Sequence, residues 1–139
     1  MIKLKDILKE TIEETLKDKL LSIGGKEVSF GRDTDEEIKR MLEDGQVFQN
    51  QVVKIKGFAN QCHFNTATAY DMSRKDKYKH LDDFKIVSGY ALDDDIWISH
   101  SWGLNQQNKL VETTPEIFKK YYGYILDPKE SQNFCFDNI

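Results

Sequence analysis

Three strand-like segments crowd into residues 84–114: FKIVSGYAL (84–92), DIWISHSWGL (95–104) and KLVETT (109–114). Branched and aromatic residues dominate them, as a half-buried pleated surface favours. In the middle segment Ile96, Ile98, His100 and Trp102 alternate with Trp97, Ser99 and Ser101, the two-residue period of a strand. The breaks, acidic LDDD (92–95) and polar NQQNK (105–109), are short enough for hairpin loops. An antiparallel meander is expected, and the rest of the chain has to pack against it.

Helical signals precede the meander. Leu4, Ile7, Leu8, Ile12, Leu16 and Leu20 recur at helical spacing, which predicts an amphipathic helix over residues 3–21, stopped by Gly24-Gly25. KEVSFG (26–31) suits a short strand or a loop. DTDEEIKRMLEDG (33–45) predicts a second helix, with Thr34 and Glu37 at capping-box spacing and Gly45 at its end. QVFQNQVVKIKGFANQ (46–61) is ambiguous: Val47, Val52, Val53 and Ile55 suit a strand, which Gly57 breaks. A third helix runs from about Cys62 to Arg74, with Ala67, Ala69 and Met72 suited to a packed face. After the meander, PEIFKKYYG (115–123) opens on a proline, favoured where helices begin, so a short helix is expected. YILDP (124–128) follows as a last strand. Helices first and an antiparallel sheet afterwards make an α+β fold. A length of 139 residues favours one domain, with a helical part (1–45), a core (46–127) and a tail (128–139).

Composition narrows the function classes. A net charge of −4 and an isoelectric point near 5.4 argue against a dedicated nucleic-acid binder, which shows a basic patch or stripe. No apolar run approaches the roughly 20 residues that span a bilayer, so no membrane partner is expected. The start, MIKLKDILKETIEETL, is amphipathic and lacks the apolar core and cleavage site of a signal peptide. A cytoplasmic location is the expectation. Cys62 and Cys135 are the two cysteines, expected as free thiols.

Cys62 stands at the predicted entrance of the third helix, in QCHFNTATAY (61–70). Free N–H groups and the helix dipole at such an entrance stabilise a thiolate. His100 lies on the second strand of the meander and Glu112 on the third. An imidazole can take the thiol proton and return it to a leaving group, and a carboxylate can orient that imidazole. Whether His100 and Glu112 share a face depends on register. The same three residue types also suit zinc with an open fourth position, but no HExxH or CxxC supports that, and no metal or cofactor is expected.

The order of these residues resembles papain-like and NlpC/P60-like thiol hydrolases: cysteine at a helix start, histidine on a strand, a polar partner on the next. CHFN (62–65), VSGYAL (87–92), HSW (100–102) and ETTP (112–115) look like the CHxN, Gly-aromatic, His-x-Trp and acid-x-Thr-Pro segments of small bacterial and phage proteins. The resemblance spans about residues 57–116. It implies a papain-like fold and a Cys62–His100–Glu112 triad acting as a peptidase, amidase or acyl transferase through an acyl-thioester. The implied partner is a peptide or amide substrate. Glu112 stands where aspartate is more usual. A glutamine that serves as oxyanion donor in such sites has no counterpart at Lys56. Asn60 is preferred for that role, with Gln61, Gln51 and the Cys62 N–H as alternatives.

Each of these residues also has a structural reading. Cys62 is a small buried hydrophobe on that view, and the chain a binding module whose acidic helices dock a partner protein. Asn65 shares the helix face of Cys62; it anchors substrate, or more simply bonds the adjacent sheet. Trp102 walls a cleft or fills the core. His63, next to Cys62, caps, packs or touches substrate, and His80 is solvated in a charged loop. Cys135 carries little catalytic weight.

Overall fold

The structure, a computed structural model, describes residues 4–49, 51–75 and 84–139, and side chains from residue 11 onward within them. The Leu4, Ile7 and Leu8 side chains of the predicted stripe, and His80, lie outside the described residues. Among the described residues there are four helices and seven strands: α1 (Leu4–Ile23), β1 (Glu27–Ser29), α2 (Asp35–Asp44), β2 (Gln46–Phe48), β3 (Val52–Lys54), α3 (Cys62–Ser73), β4 (Lys85–Asp93), β5 (Ile96–Leu104), β6 (Leu110–Glu112), β7 (Tyr121–Ile125) and α4 (Pro128–Asn138). None of these helices is long and apolar enough to cross a membrane.

The fold is α+β, and its sheet is curled and mixed. The strand order is β2-β7-β4-β5-β6-β3, with β1 added beside β5. The meander is as expected: β4 pairs antiparallel with β5 along nine residues, and β5 with β6 at Gly103–Val111 and Leu104–Leu110. The wholly antiparallel sheet is corrected. β1 runs parallel to β5 and β3 runs parallel to β6. Each parallel pair is separated in sequence by at least one helix, the long crossover that parallel pairing needs. Residue periodicity carries no information about direction.

The predicted helix at 115–123 is also corrected. Residues 121–125 form β7, antiparallel to both β4 and β2. Tyr121, Tyr122 and Tyr124 are strand formers, and all three are buried, Tyr121 on one face of the sheet and the other two on the opposite face. Gly123 lies opposite Gly89. A Cβ at Gly89 would stand 2.1 Å from the Tyr122 carbonyl oxygen, and one at Gly123 2.4 Å from that of Ser88. Two glycines let the strands approach there.

Two apolar clusters sandwich the sheet. On one face Ile86, Tyr90, Leu92, Trp97 and Tyr122 meet Leu16 and Leu20 of α1, Ile38 and Met41 of α2, and Ala69 of α3. Each fully buried Leu, Ile or Met among them contributes about 1.5–3 kcal/mol of transfer free energy. On the other face Phe48, Val87, Ala91, Trp102, Leu104, Leu110 and Tyr121 form a second cluster. The alternation along β5 thus sends Trp97 to one core and Trp102 to the other, each fully buried. The Thr34–Glu37 capping box starts α2. A second box, Asp127 with Glu130 and Pro128 at the first helical position, starts α4. The segment expected as a tail is therefore a capped helix, and it packs against α3.

Candidate active site

The start of α3 is held by Asn65. Its Oδ1 accepts from the Phe58 N–H (3.1 Å), and its Nδ2 donates to the carbonyls of Phe58 (2.7 Å) and Thr113 (3.1 Å). One buried amide thus ties the loop before Cys62 to the segment after β6. Gly57 makes this approach possible, since a Cβ there would sit 2.2 Å from the Thr113 oxygen and 2.7 Å from Asn65 Nδ2. Asn65 therefore takes its structural reading. Asn65→Ala is expected to cost about 2–4 kcal/mol, because three backbone groups lose their partner and at least one is buried, and to lower the urea midpoint accordingly.

Cys62 is the first residue of α3. The preceding Gln61 makes no side-chain cap, and first-turn N–H groups have no intrahelical acceptor. Asn60 adopts a positive φ of 59°, a conformation asparagine tolerates, and turns the chain into the helix. Asn60 and Gln61 are exposed. Neither side chain has a hydrogen-bond partner among the described residues, whereas the Gln61 carbonyl accepts from Asn65 N–H. Gln51 immediately precedes β3, its carbonyl bonded to Leu110 N–H.

The β5–β6 hairpin brings His100 and Glu112 together. Its register sets Leu104 beside Leu110, and with a two-residue period His100, Trp102, Leu110 and Glu112 share one face. His100 Nε2 is 2.9 Å from Glu112 Oε1, and both side chains are almost wholly buried. Glu112 has three further donors: Tyr121 O–H (2.8 Å), Thr114 N–H (3.1 Å) and Thr114 O–H (2.9 Å). The second threonine of ETTP is thus a clamp on the carboxylate. Burial raises the carboxyl pKa, but the His100 bond and charge and the Tyr121 and Thr114 bonds outweigh it and hold Glu112 below its ordinary value. Trp102 stacks on the His100 ring at 5.9 Å, and Phe118 meets it edge-on at 4.8 Å. Trp102 therefore fills the core and walls the imidazole at once.

α3 meets β5 at residues 100 and 101, between the stretches paired with β1 and β6. There the Cys62 thiol comes under the influence of two imidazoles, His100 and the neighbouring His63. Burial pushes the thiol up, but bonds to the two imidazoles and their positive charge bring it down to about 5. Burial pulls His100 down, yet its bonds to Cys62 and Glu112 raise it to about 9. The two shifts agree: the stable form at neutral pH is thiolate beside imidazolium.

His63 is adjacent to Cys62 in sequence; its Nδ1 is 2.7 Å from Ser101 Oγ, and its ring meets Phe134 of α4 edge-on. His63 also lines a cleft of about 610 Å³ on the helix-covered face of the sheet. Tyr121 and the α4 wall were missed from sequence; the Asp127-Pro128-x-Glu130 capping pattern was the signal that could have found the helix. Cys135 lies apart from this cluster, its thiol on the Ala67 carbonyl and its pKa raised, chiefly by burial. No group of three or more His, Cys, Asp or Glu among the described residues is placed to hold a metal ion. Comparison with protein-family models, with curated proteins and with solved structures finds no match for this chain.

Proposed function

We propose that the chain is a papain-like thiol hydrolase or acyl transferase acting on a peptide or amide, as its resemblance to the NlpC/P60-like group implies. The observation that carries this reading is the buried His100 Nε2–Glu112 bond, with Glu112 fourfold-bonded, at the site where the imidazole lowers the Cys62 thiol. Cys62 Sγ attacks the carbonyl carbon as thiolate. Negative charge developing on the carbonyl oxygen is met by first-turn N–H groups of α3. His100 gives its proton to the leaving amine, the C–N bond breaks, and an acyl-thioester remains on Cys62. Water or another nucleophile then displaces the thiolate. Glu112 keeps the imidazole oriented and favours its charged form.

The test is acetylation of the protein by p-nitrophenyl acetate, read as nitrophenolate release and as the mass of the labelled peptide. Acetylation is expected on Cys62 and absent in Cys62→Ala; labelling only elsewhere would sink the proposal. The pH dependence follows from the two shifts. The thiolate forms as pH rises through about 5, so acetylation turns on there. His100 loses its proton as pH rises through about 9, so turnover of an amide, whose leaving group needs that proton, falls again above it. A bell with these limbs reports the thiol–imidazole pair as a unit.

A further inference from the structure

This inference rests on the thiol-hydrolase reading above. We propose that His63 is a second catalytic imidazole, the general base that activates the nucleophile resolving the acyl-thioester, and that this nucleophile enters through the cleft on the helix-covered face. Three observations meet at His63. It follows Cys62 directly at the start of α3, and its imidazole helps to lower the thiol. Its Nδ1 is anchored on Ser101 Oγ at 2.7 Å, and its ring is braced by Phe134 at 5.9 Å. It lines the 610 Å³ cleft together with Asp33, Ser99 and Phe134.

His100 is placed differently. It is 2 % exposed, enclosed by Trp102, Phe118 and Tyr121 and bonded to Glu112. His100 is absent from the cleft wall. Cys62 is not on that wall either, so the cleft reaches the acyl group by way of His63; His100 and Ser101, which holds His63, alternate along β5 and point to opposite faces of the sheet. His100 serves acylation from the buried side. His63 serves deacylation from the open side.

The step balances. Water in the cleft gives a proton to His63 as its oxygen attacks the thioester carbonyl. The C–S bond breaks and the electron pair leaves on Cys62 sulfur. The carboxylic acid departs, and the proton on His63 passes through the thiol to His100, which gave one up during acylation. Asp33, whose carboxylate accepts from Tyr90 O–H at 2.6 Å, lines the same cleft as His63.

The experiment separates the two half-reactions with p-nitrophenyl acetate. Wild type is expected to give one acetyl on Cys62 and then to clear it. His63→Gln is expected still to reach one acetyl on Cys62, formed more slowly because one of the two imidazoles that lower the thiol is gone, and to clear it at least about 10²-fold more slowly, the usual size of a general-base contribution. The acetyl-protein then accumulates in the mass spectrum. Free imidazole is expected to restore clearance in His63→Ala, which a packing role would not allow. Ser101→Ala keeps the imidazole and loses its anchor, so it guards against a folding defect in the His63 variants; slowed clearance is expected there too. Acetyl clearance at the wild-type rate in both His63→Gln and Ser101→Ala overturns this inference and leaves the thiol-hydrolase reading standing. No acetyl on Cys62 in wild type overturns both.

Discussion

Replacing His100 by alanine is expected to move the alkylation midpoint of Cys62 from about 5 toward or beyond the free-cysteine value of about 8.5. Burial alone raises the thiol, and with His100 gone only His63 and the helix start oppose it. At pH 6 the thiolate fraction then falls by roughly 300-fold. A more basic thiolate is intrinsically more nucleophilic, with a Brønsted slope of about 0.4–0.5. That offsets much of the loss, so the iodoacetamide rate at pH 6 is expected to drop only about tenfold. The midpoint is thus the sharper readout, followed by mass spectrometry with Cys135 as the control within the same chain. Cys135 has its thiol pKa raised, so its labelling should begin only at alkaline pH in both proteins. An unshifted Cys62 midpoint in His100→Ala would mean that the two side chains do not share a proton.

Glu112→Gln carries the second large effect, on stability and chemistry together. The carboxylate accepts four hydrogen bonds in a fully buried site. An amide keeps one acceptor oxygen and brings N–H donors against groups that are themselves donors. Breaking a buried charged pair from one side costs about 3–5 kcal/mol, to be read from urea unfolding. Activity is expected to fall by about 10³–10⁴-fold, as when the orienting acid of a hydrolase triad is lost. The sign with pH is also set. Folding lowers the Glu112 pKa, so its contribution is fully present above the unfolded carboxyl value of about 4.3. It is lost as pH falls through the lower folded value. The Glu112→Gln variant should therefore lose the part of the acid-unfolding transition that this group supplies. If Glu112→Gln unfolds like wild type, the carboxylate is not the anchor of the site.

The residues proposed to carry chemistry could be singled out because each stands beside a local signal. Cys62 begins a run with helical composition, His100 sits inside an alternating strand, and Glu112 follows a loop short enough to be a hairpin turn. In that loop Asn105 Oδ1 accepts from Gln107 and Lys109 N–H, an arrangement that short polar residues favour. The capping box at Thr34 was legible for the same reason, since its two bonds span three residues.

What lay beyond reach depended on contacts distant in sequence. Apolar residues 117, 118, 121 and 122 fit a helix as well as a strand, and the open edge of β4 decided for the strand. KEVSFG and QVVKIK pair parallel because helices carry the chain across the sheet, which no short-range pattern records. Tyr121 completes the Glu112 shell, and Ser101 and Phe134 hold His63, only once β7 and α4 are docked. Local sequence determined which residues stand at the helix start and on the two strands, because caps, turns and periodicity act over a few bonds. The tertiary structure alone decided that Cys62, His100, Glu112 and His63 meet, because register and docking come from burying both faces of one sheet at once.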